Sequence, residues 1–206
     1  MNRVKCLSRA LHGALLSAVL LVAPGVSPWA QETPVNAALA TLPADSLYGL
    51  PMPLTDARGI HFDWRDMAGQ PLLVSMFYGD CASACPVLLQ SLQRTIAELQ
   101  PAEGALRVLL VSLNPRHDSP ASLAHLSHMH QLDERFFRLA VAADEGQTRA
   151  MAAALQIKYR TLDNGEISHN TRVTLLNADG QAIASSTLLE PTADRALLAE
   201  VRQALR

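Results

Sequence analysis

The sequence predicts an α/β domain, a mixed sheet flanked by helices with an added N-terminal β-hairpin. Three observations predict it. Short apolar runs of strand length recur at Leu72–Tyr78, Arg107–Leu113 and Phe137–Ala142. Each is followed by a segment with helical periodicity, the arrangement that covers a sheet on both faces. Near the end, Asn177-Ala178-Asp179-Gly180 joins two strand-like segments, Thr171–Leu176 and Gln181–Ser186, in a hairpin that makes the sheet mixed rather than all parallel.

The elements follow in order. Arg3, Lys5 and Arg9 precede a ten-residue apolar stretch, Ala14–Ala23, in a segment without acids. Residues 1–30 therefore read as a secretory signal cleaved after Ala30, although Pro28 is unusual at the third position back. The stretch falls short of the roughly 20 residues that cross a bilayer. The expectation is a periplasmic protein, with membrane attachment only if the leader stays uncleaved. Residues 31–45 form an Ala- and Pro-rich linker, and one domain occupies 46–206. Leu50–Trp64 alternates around the turn signal Asp56-Ala57-Arg58-Gly59 and reads as the added hairpin. Pro86–Gln100 is a helix with Leu88, Leu92, Ile96 and Leu99 on one face. Ser119–Gln131 is a second helix, with Pro120 at its first position. Asp144–Ile157 is an Ala-rich third helix, and Thr192–Leu205 closes the chain.

Charge narrows the function. Loss of Arg3, Lys5 and Arg9 with the leader leaves fourteen basic and nineteen acidic residues, a net charge of −5. Binding nucleic acid requires clustered Lys and Arg to neutralise phosphates, so nucleic acid is not an expected partner. Cys6 also leaves with the leader. Two of the three cysteines remain, Cys81 and Cys85, in the pattern Cys-x-x-x-Cys-Pro where a buried strand gives way to a helix. A bridge over so short a loop would gain little from loop-closure entropy, which points to chemistry as the reason for the pair. With Pro86 suited to the first helical position, Cys85 falls at or near the N-cap, where the helix end favours a thiolate. Asp80 beside Cys81 opposes a second negative charge, and a bound cation would relieve that conflict.

Two thiols four residues apart can clamp a soft metal or exchange with a disulfide. A third ligand would have to come from elsewhere, and His169, in the polar loop Gly165–Asn170 before a strand, is the best candidate. Two thiolates and an imidazole make a soft, low-coordinate site. Thiolates select Cu(I), the imidazole also suits Cu(II), and zinc would ask for a fourth ligand. A solvated loop histidine is the competing reading. His125, His128 and His130, with His117 nearby, form a denser cluster. Here Leu123, Leu126 and Met129 mark the buried stripe, His125 and His128 share an outward face, and His130 points elsewhere. A solvated surface is its default reading, an auxiliary copper or zinc site the alternative. Tyr78 and Tyr159 read as packing residues that could line the site.

Together these stretches resemble the Sco/SenC family. The matching segments are Phe77-Tyr78-Gly79-Asp80-Cys81-Ala82-Ser83-Ala84-Cys85-Pro86, then Val111-Ser112-Leu113-Asn114-Pro115-Arg116-His117-Asp118-Ser119-Pro120, then Ser168-His169-Asn170 running into Thr174–Gly180. The resemblance covers most of the chain from Leu50 onward. It implies a thioredoxin-like fold, copper held by Cys81, Cys85 and His169, and a role in assembling the binuclear copper centre of cytochrome c oxidase. That role is delivery of copper to, or reduction of cysteines in, a respiratory oxidase subunit or another copper protein. The chain departs from the family in having Ser168 and Asn114 where many members carry Asp, and in an apolar leader too short for the usual anchor. The competing function is a thiol–disulfide oxidoreductase of the thioredoxin kind, with Cys81 and Cys85 as the redox pair. Against it stand the three residues between the cysteines, where thioredoxin-like enzymes have two.

Overall fold

The computed structural model describes residues 42–81 and 84–206. The expected signal segment, Cys6 and most of the linker lie outside the described residues.

A seven-stranded sheet runs through the domain. Its strands are β1 (Pro53–Asp56), β2 (His61–Asp63), β3 (Leu72–Phe77), β4 (Arg107–Ser112), β5 (Phe137–Ala142), β8 (Val173–Leu176) and β9 (Ala182–Ser186). They lie in the order β2-β1-β5-β4-β3-β8-β9. The central pairs β3–β4 and β4–β5 are parallel, whereas β1–β2, β1–β5, β3–β8 and β8–β9 are antiparallel. The fold is thus the expected mixed α/β sheet, and the N-terminal hairpin widens it beyond β5. A separate two-stranded ribbon, β6 (Tyr159–Thr161) with β7 (Ile167–His169), stands apart from the main sheet. Four helices complete the domain: α1 (Ala84–Leu99), α2 (Pro120–Met129), α3 (Glu145–Ala154) and α4 (Arg195–Ala204).

Strand periodicity divides the core into two layers. In β3, Leu72, Val74 and Met76 face one side of the sheet, and Leu73 and Phe77 face the other. The first layer packs against Met151 and Ala152 of α3, with Tyr48 and Trp64. The second packs against Leu88, Leu89 and Leu92 of α1, Leu123 of α2, and Leu197 and Val201 of α4. All six residues of β3 are buried, which is why they read as a continuous apolar run rather than an alternation. Trp64 is fully buried, donates its indole N–H to the Leu50 carbonyl at 2.8 Å, and meets the Tyr48 ring edge-on at 5.9 Å. Truncating it to Ala would cost about 3–5 kcal/mol.

Local signals set the boundaries. Ser119 caps α2 by accepting from the Ser122 N–H at 3.2 Å, the Ser122 hydroxyl answers the Ser119 N–H, and Pro120 opens the helix. Asp144 caps α3 through the Gln147 N–H, and Asp194 caps α4. In the β1–β2 turn, one Asp56 carboxylate oxygen accepts the N–H groups of Arg58 and Ile60 at 3.0 and 2.9 Å. Its other oxygen takes the Arg138 guanidinium at 2.9 Å, which stacks 3.4 Å from the centre of the Phe62 ring. The helix stripe expected on α2 is only partly realised. Leu123 is buried and Leu126 half-buried, but Met129 is 65% exposed. Six residues turn a helix by about 600°, so Met129 sits roughly 120° away from Leu123. Among the described residues, no helix is long and apolar enough to cross a membrane.

Candidate metal centre

Three elements bring the proposed donors together. Strand β3 ends at Phe77, and the loop Tyr78-Gly79-Asp80 carries the chain to Cys81. Helix α1 as described begins at Ala84, so Cys85 lies in its first turn and not at its N-cap, and Pro86 comes later than the first helical position. The ribbon delivers His169 at the end of β7. The thiol sulfurs of Cys81 and Cys85 and a ring nitrogen of His169 lie within 4.8 Å of one another. Three donors spread evenly around one small ion, each about 2.0–2.3 Å from it, stand about 3.5–4.0 Å apart. From separations of up to 4.8 Å, closure on an ion needs shifts of about half an ångström or somewhat more per donor.

The cysteine loop is tied down from below. Asp118, buried at 8% exposure, accepts the Gly79 N–H at 3.0 Å and the Ser112 hydroxyl at 2.5 Å on one carboxylate oxygen. Ser112 in turn accepts the Asn114 N–H at 2.8 Å. A Cβ on Gly79 would run into the Asp118 carboxylate, so the close approach requires glycine. The Cys85 N–H donates to the Cys81 sulfur at 3.3 Å. A first-turn amide of α1 is thus directed at Cys81, while burial first, and the neighbouring Cys81 sulfur second, push the Cys85 thiol well above its ordinary range. This corrects the expectation that the helix end would favour a Cys85 thiolate. Burial outweighs it, with Cys85 only 2% exposed. The pair is not joined by a disulfide.

His169 is positioned by the ribbon, not by an irregular loop as its sequence suggested. Tyr159 pairs with His169 and Thr161 with Ile167 around a turn in which Gly165 has φ +85°. At the base, the Asn170 side-chain oxygen accepts the Lys158 N–H at 2.6 Å, and the Asn170 N–H returns to the Lys158 carbonyl at 3.2 Å. The imidazole Nδ1 lies 3.1 Å from the Asn170 carbonyl. A carbonyl only accepts, so the proton belongs on Nδ1 and the lone pair on Nε2. That Nε2 is buried and has no hydrogen-bond partner. Buried polar atoms are ordinarily satisfied, and a metal ligand held by its other ring nitrogen is the usual exception. The donor set suits a soft ion with an open coordination demand.

Tyr78 joins the two halves of the site. It is 8% exposed, its ring meets that of His169 edge-on at 6.0 Å, and its hydroxyl interacts with Cys81 and the backbone of Ile167. Burial, followed by the adjacent Cys81 sulfur, raises its phenol. Tyr159 is half-buried and packs against the first core layer, as expected for a packing residue. Ser168 is exposed and, one residue from His169 in β7, faces the opposite side of the strand. The departure from the family's Asp thus falls away from the donors. Asp80 is exposed.

The helix histidines lie elsewhere. Among the described residues, Cys81, Cys85 and His169 are the single set of three His, Cys, Asp or Glu donors that converge. His125 and His130 line one cleft, together with His117, whereas His128 lines a different depression with Gln131 and Glu134. His125 and His128 are both exposed on α2, as their spacing predicts, and His130 is half-buried. His130 falls at the α2 C-cap with φ −90° and ψ 3°, where helical spacing no longer sets direction.

The fold is shared with solved proteins. A putative electron transfer protein from Aquifex aeolicus superposes with a TM-score of 0.67 at 19% identity, covering 80% of this chain and 92% of that one. A SCO1/SenC family lipoprotein from Bacillus anthracis gives 0.66 at 15% identity over 76% and 94% of the two chains. Yeast Sco1, solved with copper bound, gives 0.60 at 16% identity over 75% and 86%. These likenesses establish a thioredoxin-like Sco fold. No curated protein sequence matches the chain significantly. A sequence profile of SCO1/SenC matches residues 41–206, spanning the whole described domain, and the chain belongs to the SCO1/SenC family.

Proposed function

We propose that the protein binds one copper ion through Cys81, Cys85 and His169 and serves as a periplasmic copper chaperone for a respiratory oxidase subunit or another copper protein. One observation carries the reading: a buried His169 Nε2 with no partner, within 4.8 Å of two thiol sulfurs. The Sco proteins of yeast, Arabidopsis thaliana and Bradyrhizobium japonicum have been solved with copper bound. A further structural neighbour is described as a member of the Sco family of cytochrome c oxidase assembly proteins. The basic, then apolar, leader supports export.

The residues divide the work. Cys81 and Cys85 supply the sulfurs that hold a soft ion, and His169 supplies a nitrogen whose tautomer the Asn170 carbonyl fixes. Asp118 and Tyr78 hold the loop and ring in register. Release to a client proceeds by ligand exchange, with client donors replacing these one at a time. Bound copper supplies the cargo and its two oxidation states. Anaerobic copper loading of the reduced protein, with metal counted per chain, tests this. One ion per chain is expected, and Cys81→Ser should abolish tight binding. His169→Ala should weaken Cu(II) more than Cu(I), because two thiolates still hold the softer ion. Full Cu(I) retention in Cys81→Ser would overturn the assignment.

A second reading draws on the unequal exposure of the thiols, Cys81 partly exposed and Cys85 buried. Cys81 would attack a client disulfide, and Cys85 would then displace the mixed disulfide. Two client thiols form as Cys81 and Cys85 become oxidised to a disulfide. Rapid turnover on a disulfide substrate, together with absent copper binding, would favour this reading over the first.

A further inference from the structure

Beside the three donors lies a cleft of about 360 Å³ between the Cys81 loop and α2. Its lining is rich in groups that bind soft metals: the thioether of Met129 and the imidazoles of His117, His125 and His130. No Lys or Arg lines it, and Asp80 and Asp118 contribute carboxylates. The local field therefore favours a cation. His125 and Met129, four residues apart on α2, stand about 40° apart around the helix and share one edge. Met129 is a large apolar side chain left 65% exposed on a helix whose neighbours Leu123 and Leu126 turn inward. Packing gives no reason for a methionine there, whereas a soft ligand does.

The cleft also has a place in the route to the metal centre. Cys85 is buried, Cys81 and His169 are half-buried, and the His169 Nε2 itself is buried. Cys81 alone of the three donors lines the cleft. An ion reaching the centre from this side passes through a cleft that His125 and Met129 line together with Cys81.

We propose that His125 and Met129, with His117 and His130 at hand in the same cleft, form a second, weaker site for cuprous ion that passes its metal onto Cys81. Among the described residues, no further set of three His, Cys, Asp or Glu donors converges, so the proposed site rests on His125 and Met129 as a two-donor, weakly binding pair. Transfer is ligand exchange without change of oxidation state. The bond from copper to the Met129 thioether breaks, a bond to the Cys81 thiolate forms, and the thiol proton leaves to water. The inference rests on the copper reading of the three-donor centre, and its test separates the two.

The full chain is loaded anaerobically from a chelated Cu(I) donor and followed by stopped flow. The double variant His125→Ala/Met129→Ala should load at least about tenfold more slowly, the lower end of what losing metal partners costs. His128→Ala, on the other depression, should load at the wild-type rate. Equal rates for the double variant and wild type overturn the proposal. In Cys81→Ser/Cys85→Ser protein, Ag(I) as a probe for cuprous ion should shift the Met129 methyl resonance, and an unmoved methyl likewise overturns it. If wild-type protein takes up no copper while that methyl still shifts, the cleft stands and the chaperone reading fails.

Discussion

Removing the Asp118 carboxylate should loosen the cysteine loop and the domain together. In Asp118→Ala, the Gly79 N–H and the Ser112 hydroxyl both lose the oxygen they share, 3.0 and 2.5 Å away. Each buried group left unsatisfied costs about 1–3 kcal/mol, so the loss from the two should be about 2–6 kcal/mol. Asp118→Asn keeps an acceptor oxygen and should cost about half as much or less. Gly79→Ala is destabilising for a different reason, since its Cβ enters the space of the Asp118 side chain. Combining it with Asp118→Ala clears that space. The double variant should therefore be more stable than the sum of the single losses, by about 0.5–3 kcal/mol. Urea denaturation measures all four proteins, with changed midpoints and an unchanged slope marking stability effects. A loss under about 0.5 kcal/mol for Asp118→Ala, the scale of an ordinary surface change, would refute the reasoning, as would strict additivity with Gly79→Ala.

Three further outcomes follow from the same geometry. Asn170→Ala frees the base of the β6–β7 ribbon and should lower Cu(I) affinity by about 10–100-fold in a chelator competition; an unchanged affinity would remove Asn170 from the positioning of His169. Burial pushes the Asp56 carboxyl up, but the Ile60 N–H, the Arg138 guanidinium and the Arg58 N–H together hold it below the ordinary range. A depressed folded value gives stability that is full above the unfolded value of about 3.9 and is lost as pH falls through the lower folded one. Asp56→Asn should flatten that acid limb in a pH series of unfolding midpoints, and an unaltered limb would contradict the assignment. Because the Cys85 thiol is raised, its proton must leave when copper binds, so apparent Cu(I) affinity should climb with pH across neutrality by about tenfold per unit for that proton; a flat profile would mean Cys85 is not a ligand.

The sheet was legible because its central strands are buried on both faces. Leu72–Phe77, Arg107–Ser112 and Phe137–Ala142 read as apolar runs bounded by turns, and the observed limits differ from the expected ones by a residue at most. The two cysteines and the histidine were legible as residue types in a spacing, supported by the family resemblance. The β6–β7 ribbon was not, because each strand has three residues and little apolar alternation. Its Asn164-Gly165 pair was the available signal, a frequent hairpin turn. The tie from Asp118 to Gly79 spans 39 residues and leaves no local pattern. The outward placing of His125 and His128 was legible from helical spacing, whereas which edge of α2 meets the Cys81 loop was not, because a helical wheel fixes angles around an axis and not the neighbours of each edge.

X-ray absorption at the copper edge of the reduced, Cu(I)-loaded protein tests the central claim most directly. The account predicts two sulfur donors and one nitrogen donor on a single ion, with one sulfur lost in Cys81→Ser and the nitrogen lost in His169→Ala. A first shell without sulfur, or one unchanged by either substitution, would contradict it.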